Sequence, residues 1–115
     1  MKVIKEGWIF KIGGVRKNWK KRFLVLNEHC LIYYTKENQS NEKGKINLNS
    51  ILNVKKNPCS KSSESFSIET KGREFLMYPE NNEKEESESW IEAIKKMMKG
   101  KKNSIILLYS SSFFM

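Results

Sequence analysis

The sequence predicts a mostly-β domain, seven antiparallel strands in a barrel or sandwich, capped by one C-terminal amphipathic α-helix. Three observations predict it. Short aromatic and β-branched runs recur at regular spacing over the first three-quarters of the chain, with turn-forming residues between them. After Pro79 the hydrophobic period changes from two to that of a helix. The 115 residues, 38% hydrophobic and 11% aromatic, suffice for one compact core and leave little room for a second.

The elements follow in order. Gly7-Trp-Ile-Phe-Lys-Ile12 is the first strand and stops at Gly13-Gly14, a strong turn signal. The second strand runs from Trp19 to Leu26, and Cys30-Leu-Ile-Tyr-Tyr-Thr35 is the third. A polar loop ending at Gly44 leads to Lys45-Ile-Asn-Leu48 and then Ile51-Leu-Asn-Val54. Pro58 to Ser63 is a loop by composition. Ser65-Phe-Ser-Ile-Glu-Thr70 alternates strictly, Lys71-Gly72 turns, and Arg73-Glu-Phe-Leu-Met-Tyr78 returns.

In the helix, Trp90, Ile94, Met97 and Met98 fall on one face. Asn82 is the expected N-cap with Glu85 three residues on, and Gly100 the expected C-cap. The glutamates at the start and Lys95, Lys96 and Lys99 at the end suit the helix dipole. A helix presenting Trp90 and Ile94 can plug the uncovered end of an open barrel. The domain is thus expected over residues 1–100, with residues 101–115 as an appended tail of no assigned role.

Charge points to the partner. The net charge is +9, but residues 1–26 alone carry +7 whereas residues 80–92 carry −5. A basic end this concentrated suits phospholipid headgroups, nucleic acid or an acidic protein. Lys20 and Arg22 are two apart on a strand and leave the same face. The Gly13-Gly14 turn folds Lys11 back opposite them. Three cations held so close repel one another, and a multiply phosphorylated ligand relieves that repulsion, with Arg22 able to form a bidentate fork. The turn adds Arg16 and Lys17 and backbone N–H groups for a phosphate.

Catalysis finds no support: His29 is the only histidine, the glutamates before Trp90 are a helix start, and no Cys/His spacing suits zinc. No cofactor is expected. Cys30 and Cys59 read as reduced thiols of a cytoplasmic chain without a secretory signal. The apolar run Ile105-Ile-Leu-Leu-Tyr109 is far short of the roughly 20 residues a membrane span needs, so a soluble protein is expected.

Glu6-Gly-Trp-Ile-Phe-Lys11, Trp19-Lys-Lys-Arg-Phe-Leu-Val-Leu26, Leu31-Ile-Tyr-Tyr34, Phe66-Ser-Ile and Trp90-Ile-Glu-Ala-Ile94, in this order, resemble the successive landmarks of a pleckstrin-homology (PH) domain. The likeness runs from about Lys5 to Lys99, and the first hairpin is most similar to the cytohesin group. It implies two near-orthogonal antiparallel sheets capped by the helix that carries Trp90, and phosphoinositide binding. The spacing of Lys11, Gly13, Lys20 and Arg22 matches the pattern of members that recognise 3-phosphorylated inositides. The resemblance further implies that Tyr33 and Lys43 contact phosphates and that Val15 and Arg16 lie nearest the bilayer; Lys17, in the turn, is a further candidate ligand. No long insertion separates the sixth and seventh strands, which removes the phosphate contacts such an insertion supplies in some members.

The function expected is recruitment to the cytoplasmic face of the plasma membrane or another phosphoinositide-bearing membrane. Its partners are phosphoinositides, inositol phosphates and the anionic surface. The alternative is a protein-interaction adaptor on the same fold, using the basic hairpin or the helix with an acidic partner. Nucleic acid is not expected, because seven strands and a helix differ from the oligonucleotide-binding barrel.

Overall fold

The computed structural model describes residues 2–12 and 18–113, with side chains as far as Gly100. Seven strands are present: β1 (Val3–Ile12), β2 (Lys20–Asn27), β3 (Cys30–Tyr34), β4 (Glu42–Asn47), β5 (Ile51–Lys56), β6 (Phe66–Thr70) and β7 (Arg73–Pro79). They are followed by one helix, α1 (Lys84–Phe113). A single 3₁₀ turn at Leu48–Ser50 joins β4 to β5. All seven expected strands form, shifted by a few residues at their ends. The expected Gly13-Gly14 turn lies outside the described residues.

All pairings are antiparallel, in the order β4-β3-β2-β1-β7-β6-β5. The expected pair of sheets is joined into one hydrogen-bonded sheet through β1. That strand pairs with β2 from Val3 to Lys11 and with β7 from Ile9 to Ile12. Gly72, at φ 87°, makes the β6–β7 turn, a backbone region that glycine enters without steric cost.

The inner face of the sheet carries the core: Ile9, Leu24, Leu26, Leu31, Ile46, Val54, Phe66, Ile68, Phe75 and Met77, closed by Trp90, Ile94 and Met98 of α1. The continuous apolar run Phe23-Leu24-Val25-Leu26 has a physical cause. Leu24 and Leu26 face this core, while Phe23 and Val25 join Cys30, Ile32, Tyr34 and the edge of Trp8 in a second cluster. Trp90 packs against β1 at Gly7, where a Cβ would make an ordinary 3.7 Å contact with the indole. Lys5 lies over the same ring at 5.0 Å and pairs with Glu86 at 2.5 Å.

Both expected helix caps are corrected. The helix begins at Lys84, and Asn82 takes φ 54° instead of capping it, a left-handed conformation asparagine tolerates better than most residues. Its side-chain oxygen accepts from Ser62 Oγ, whereas Asn81 Oδ1 accepts from the Glu83 N–H at 3.1 Å. Gly100 keeps helical geometry, and the helix runs on to Phe113, because a glycine ends a helix only where it turns left-handed. Among the described residues, no helix is long and apolar enough to cross a membrane.

Candidate functional site

Lys11 is the last inward-facing residue of β1. Ile9, two residues earlier, is fully buried in the core, and alternation sends Lys11 to the same face at the end of the sheet. Its side chain is only 7% exposed. The alkyl stem packs with the core and the ammonium lies 4.6 Å over the Tyr33 ring and 6.0 Å from that of Phe75. Such a cage stabilises a cation by about 0.5–2 kcal/mol, less than isolating a charge from water costs.

The hairpin register sets the neighbours. Lys20 lies directly opposite Lys11, and Arg22 opposite Ile9, so all three share the inner face. On the other side Lys11 faces Met77 of β7, which places Phe75 and then Arg73 further along that face. The Arg73 guanidinium stacks over Phe75 at 4.2 Å. Burial pushes the Lys11 ammonium below its ordinary pKa, and the charges of Arg73, Arg22 and Lys20 push it the same way. Four cations therefore share one end of the barrel and oppose one another.

The anions lie elsewhere. Among the described residues, the ion pairs join Lys5 to Glu86, Lys21 to Glu80, Lys55 to Glu69, Lys56 to Glu64 and Lys84 to Glu88. No carboxylate among them reaches Lys11, Lys20, Arg22 or Arg73. Arg22 instead donates to the Lys21 carbonyl at 2.8 Å.

Tyr33 faces Gly44 across the β3–β4 ladder, and a Cβ at Gly44 would overlap the Tyr33 hydroxyl and ring. Glycine is required there for the tyrosine to lie flat across β4, under Lys11. Lys43 is the extra residue of a bulge, since Tyr33 pairs with Gly44 and Tyr34 with Glu42. It is exposed, next to Tyr33 but outside the four-cation group. The structure thus gathers Lys11, Lys20, Arg22 and Tyr33 and leaves Lys43 at the margin, while Val15, Arg16 and Lys17 lie outside the described residues.

Arg73 is the member that sequence reasoning misses. The available signal is its alternation with Phe75 and Met77, which puts it on the inner face. Its meaning depends on the pairing of β7 with β1, a contact between strands some sixty residues apart that periodicity does not reveal.

Known proteins resemble this chain over the same span. The family model described as "PH domain" matches residues 3–99. A RAC family serine/threonine-protein kinase homolog of Dictyostelium discoideum is 33% identical over 89 residues, covering 77% of this chain and 20% of that protein. Switch-associated protein 70 of Bos taurus is 32% identical over 93 residues, or 80% of this chain and 16% of that protein. The chain therefore spans about a fifth of these curated relatives. Cytohesin-4 of Mus musculus, 29% identical over 79% of this chain and 28% of that protein, stands as one of several at comparable identity. Among solved structures, one described as a pleckstrin homology domain covers 90% of this chain and 91% of its own at 28% identity, with a TM-score of 0.75. The C-terminal PH domain of pleckstrin in complex with D-myo-Ins(1,2,3,5,6)P5 is 29% identical, covers 84% of this chain and 96% of its own, and has a TM-score of 0.72.

Proposed function

The chain belongs to the PH domain family, and on that premise we propose that its barrel end binds a phosphoinositide headgroup and recruits the chain to a cytoplasmic membrane face. The observation that carries this reading is the set of four converging cations, Lys11, Lys20, Arg22 and Arg73, with no carboxylate partner among the described residues. A folded chain gains nothing from bringing them together. A multiply phosphorylated ring compensates the repulsion by charge-assisted hydrogen bonds, which are stronger where water is partly excluded.

In this reading Lys11, 7% exposed, is the innermost ligand, its ammonium beside the Tyr33 and Phe75 rings. Arg22 and Arg73 supply planar forks from opposite walls, Lys20 a mobile point charge at the rim, and the Tyr33 hydroxyl a neutral donor. Lys43 adds an outer phosphate contact, and Val15, Arg16 and Lys17 meet the lipid surface. The likeness of Lys11, Gly13, Lys20 and Arg22 to the pattern of PH domains that recognise 3-phosphorylated inositides is the support for a trisphosphate-type ring. The inositol pentakisphosphate bound to the pleckstrin domain supports the ligand class by analogy. The module carries no catalysis of its own.

A binding panel tests this. Arg22→Ala is expected to lose about 30-fold to several thousand-fold in affinity for trisphosphorylated-inositide vesicles and for the soluble headgroup alike, since truncating one member of a desolvated charge pair costs about 2–5 kcal/mol. Its melting temperature should not fall. Arg16→Ala/Lys17→Ala should weaken vesicle binding by about 1 kcal/mol per residue at low salt, fade at high salt, and spare the soluble headgroup. Parent binding to vesicles but not to the soluble headgroup, or equal losses for both variants in every condition, would replace the pocket by a diffuse basic patch. A protein-interaction role would then lead.

A further inference from the structure

We infer that the outer wall of the first hairpin, built from Phe10, Ile12, Trp19, Leu76 and Tyr78, is a second contact that seats at the headgroup–acyl boundary of an anionic bilayer. The inference rests on the reading above that this end of the barrel meets a membrane, and extends it to the opposite face of the same strands. Alternation assigns the wall: Lys11 and Met77 point inward, so Phe10, Ile12, Leu76 and Tyr78 point outward. Phe10 faces Tyr78 and Ile12 faces Leu76 across the β1–β7 ladder. The Phe10 and Tyr78 rings stack at 5.1 Å and 23°, and Trp19 leans on Tyr78 at 5.0 Å.

All five side chains are half-buried, and they lie on the face where an antiparallel sheet ordinarily presents polar residues to water. The core does not need them there, since it is filled from the inner face.

Ring chemistry and charge together select the occupant. Trp and Tyr combine an apolar body with a polar tip, the combination enriched where hydrocarbon meets headgroups. The wall is one residue step from the cations: Phe10 precedes Lys11, and Trp19 precedes Lys20. An anionic lipid surface meets both needs at once, phosphate on the inner side of the hairpin and the apolar boundary on the outer. Lys21, across from Phe10, pairs with Glu80 at 2.6 Å, so that carboxylate does not stand alone beside the rings. Glu74, exposed and two residues from Leu76, marks where the wall ends on β7.

The test uses the full chain carrying Trp8→Phe, so that Trp19 and the fully buried Trp90 are the remaining indoles. Vesicles with brominated acyl chains contain trisphosphorylated inositide, phosphatidylserine alone, or only neutral lipid. Trp19 fluorescence should be quenched on inositide vesicles and not on neutral ones. Trp19→Ser should bind inositide vesicles about tenfold more weakly, the effect of losing partial burial of one large aromatic, and bind soluble headgroup within about twofold of parent. Tight binding without quenching, or equal loss on vesicles and soluble headgroup, would overturn the wall while leaving the pocket. Quenching on phosphatidylserine vesicles with no soluble-headgroup binding would uphold the wall and remove the pocket. Failure to bind any anionic vesicle would overturn both, and a protein partner would become the occupant to seek.

Discussion

Trp90→Ala is expected to leave little folded protein at physiological temperature. The indole is fully buried and belongs to the same core cluster as residues from all seven strands. Truncating a buried tryptophan costs about 3–5 kcal/mol, against a total stability of about 5–15 kcal/mol for a small domain. The same change frees Lys5 from its ring contact and loosens the helix start held by the Lys5–Glu86 pair. Thermal unfolding followed by circular dichroism should show the midpoint falling by well over 10 °C, at about 4–8 °C per kcal/mol. An unchanged midpoint would mean that α1 does not close the core.

Lys11→Met is expected to separate stability from binding, with opposite signs. Methionine keeps the stem and fills the same space but removes the charge. Burial and the neighbouring charges of Arg73, Arg22 and Lys20 disfavour that charge and push its pKa down. The variant should therefore melt higher than the parent and bind soluble inositol phosphate at least about 30-fold more weakly, the low end of losing a desolvated charge contact. The pH dependence follows. With its folded pKa below the ordinary 10.5, Lys11 sheds its proton in the folded state first. Between the lowered value and 10.5 the unfolded chain binds more protons, so stability gains with rising pH in the parent and lacks that gain in Lys11→Met. Lower stability in the variant would show that the ammonium is a structural element and not a waiting ligand.

The strands and the helix face were legible because the physics that forms them is local. Alternation marks Ser65-Phe-Ser-Ile-Glu-Thr70, and the change of period marks Trp90, Ile94 and Met98. The Lys11–Lys20–Arg22 grouping was legible because a hairpin brings near neighbours together: Lys20 stands opposite Lys11, and Arg22 diagonally from it, opposite Ile9. Legibility ended where partners are distant in sequence. Arg73 joins the cations only through β7–β1 pairing, and Lys43 is set apart by a bulge that no local pattern announces. The N-cap expectation failed for a related reason: Asn82 is bonded to Ser62, twenty residues away.

The most direct measurement is an amide ¹H–¹⁵N titration of the full chain with a soluble inositol polyphosphate. The account predicts saturable shifts centred on Lys11, Lys20, Arg22, Tyr33, Gly44 and Arg73, with the α1 residues around Ile91 and the outer face of β3 unmoved. Shifts confined to the helix or the outer face, or none up to millimolar ligand, would contradict it.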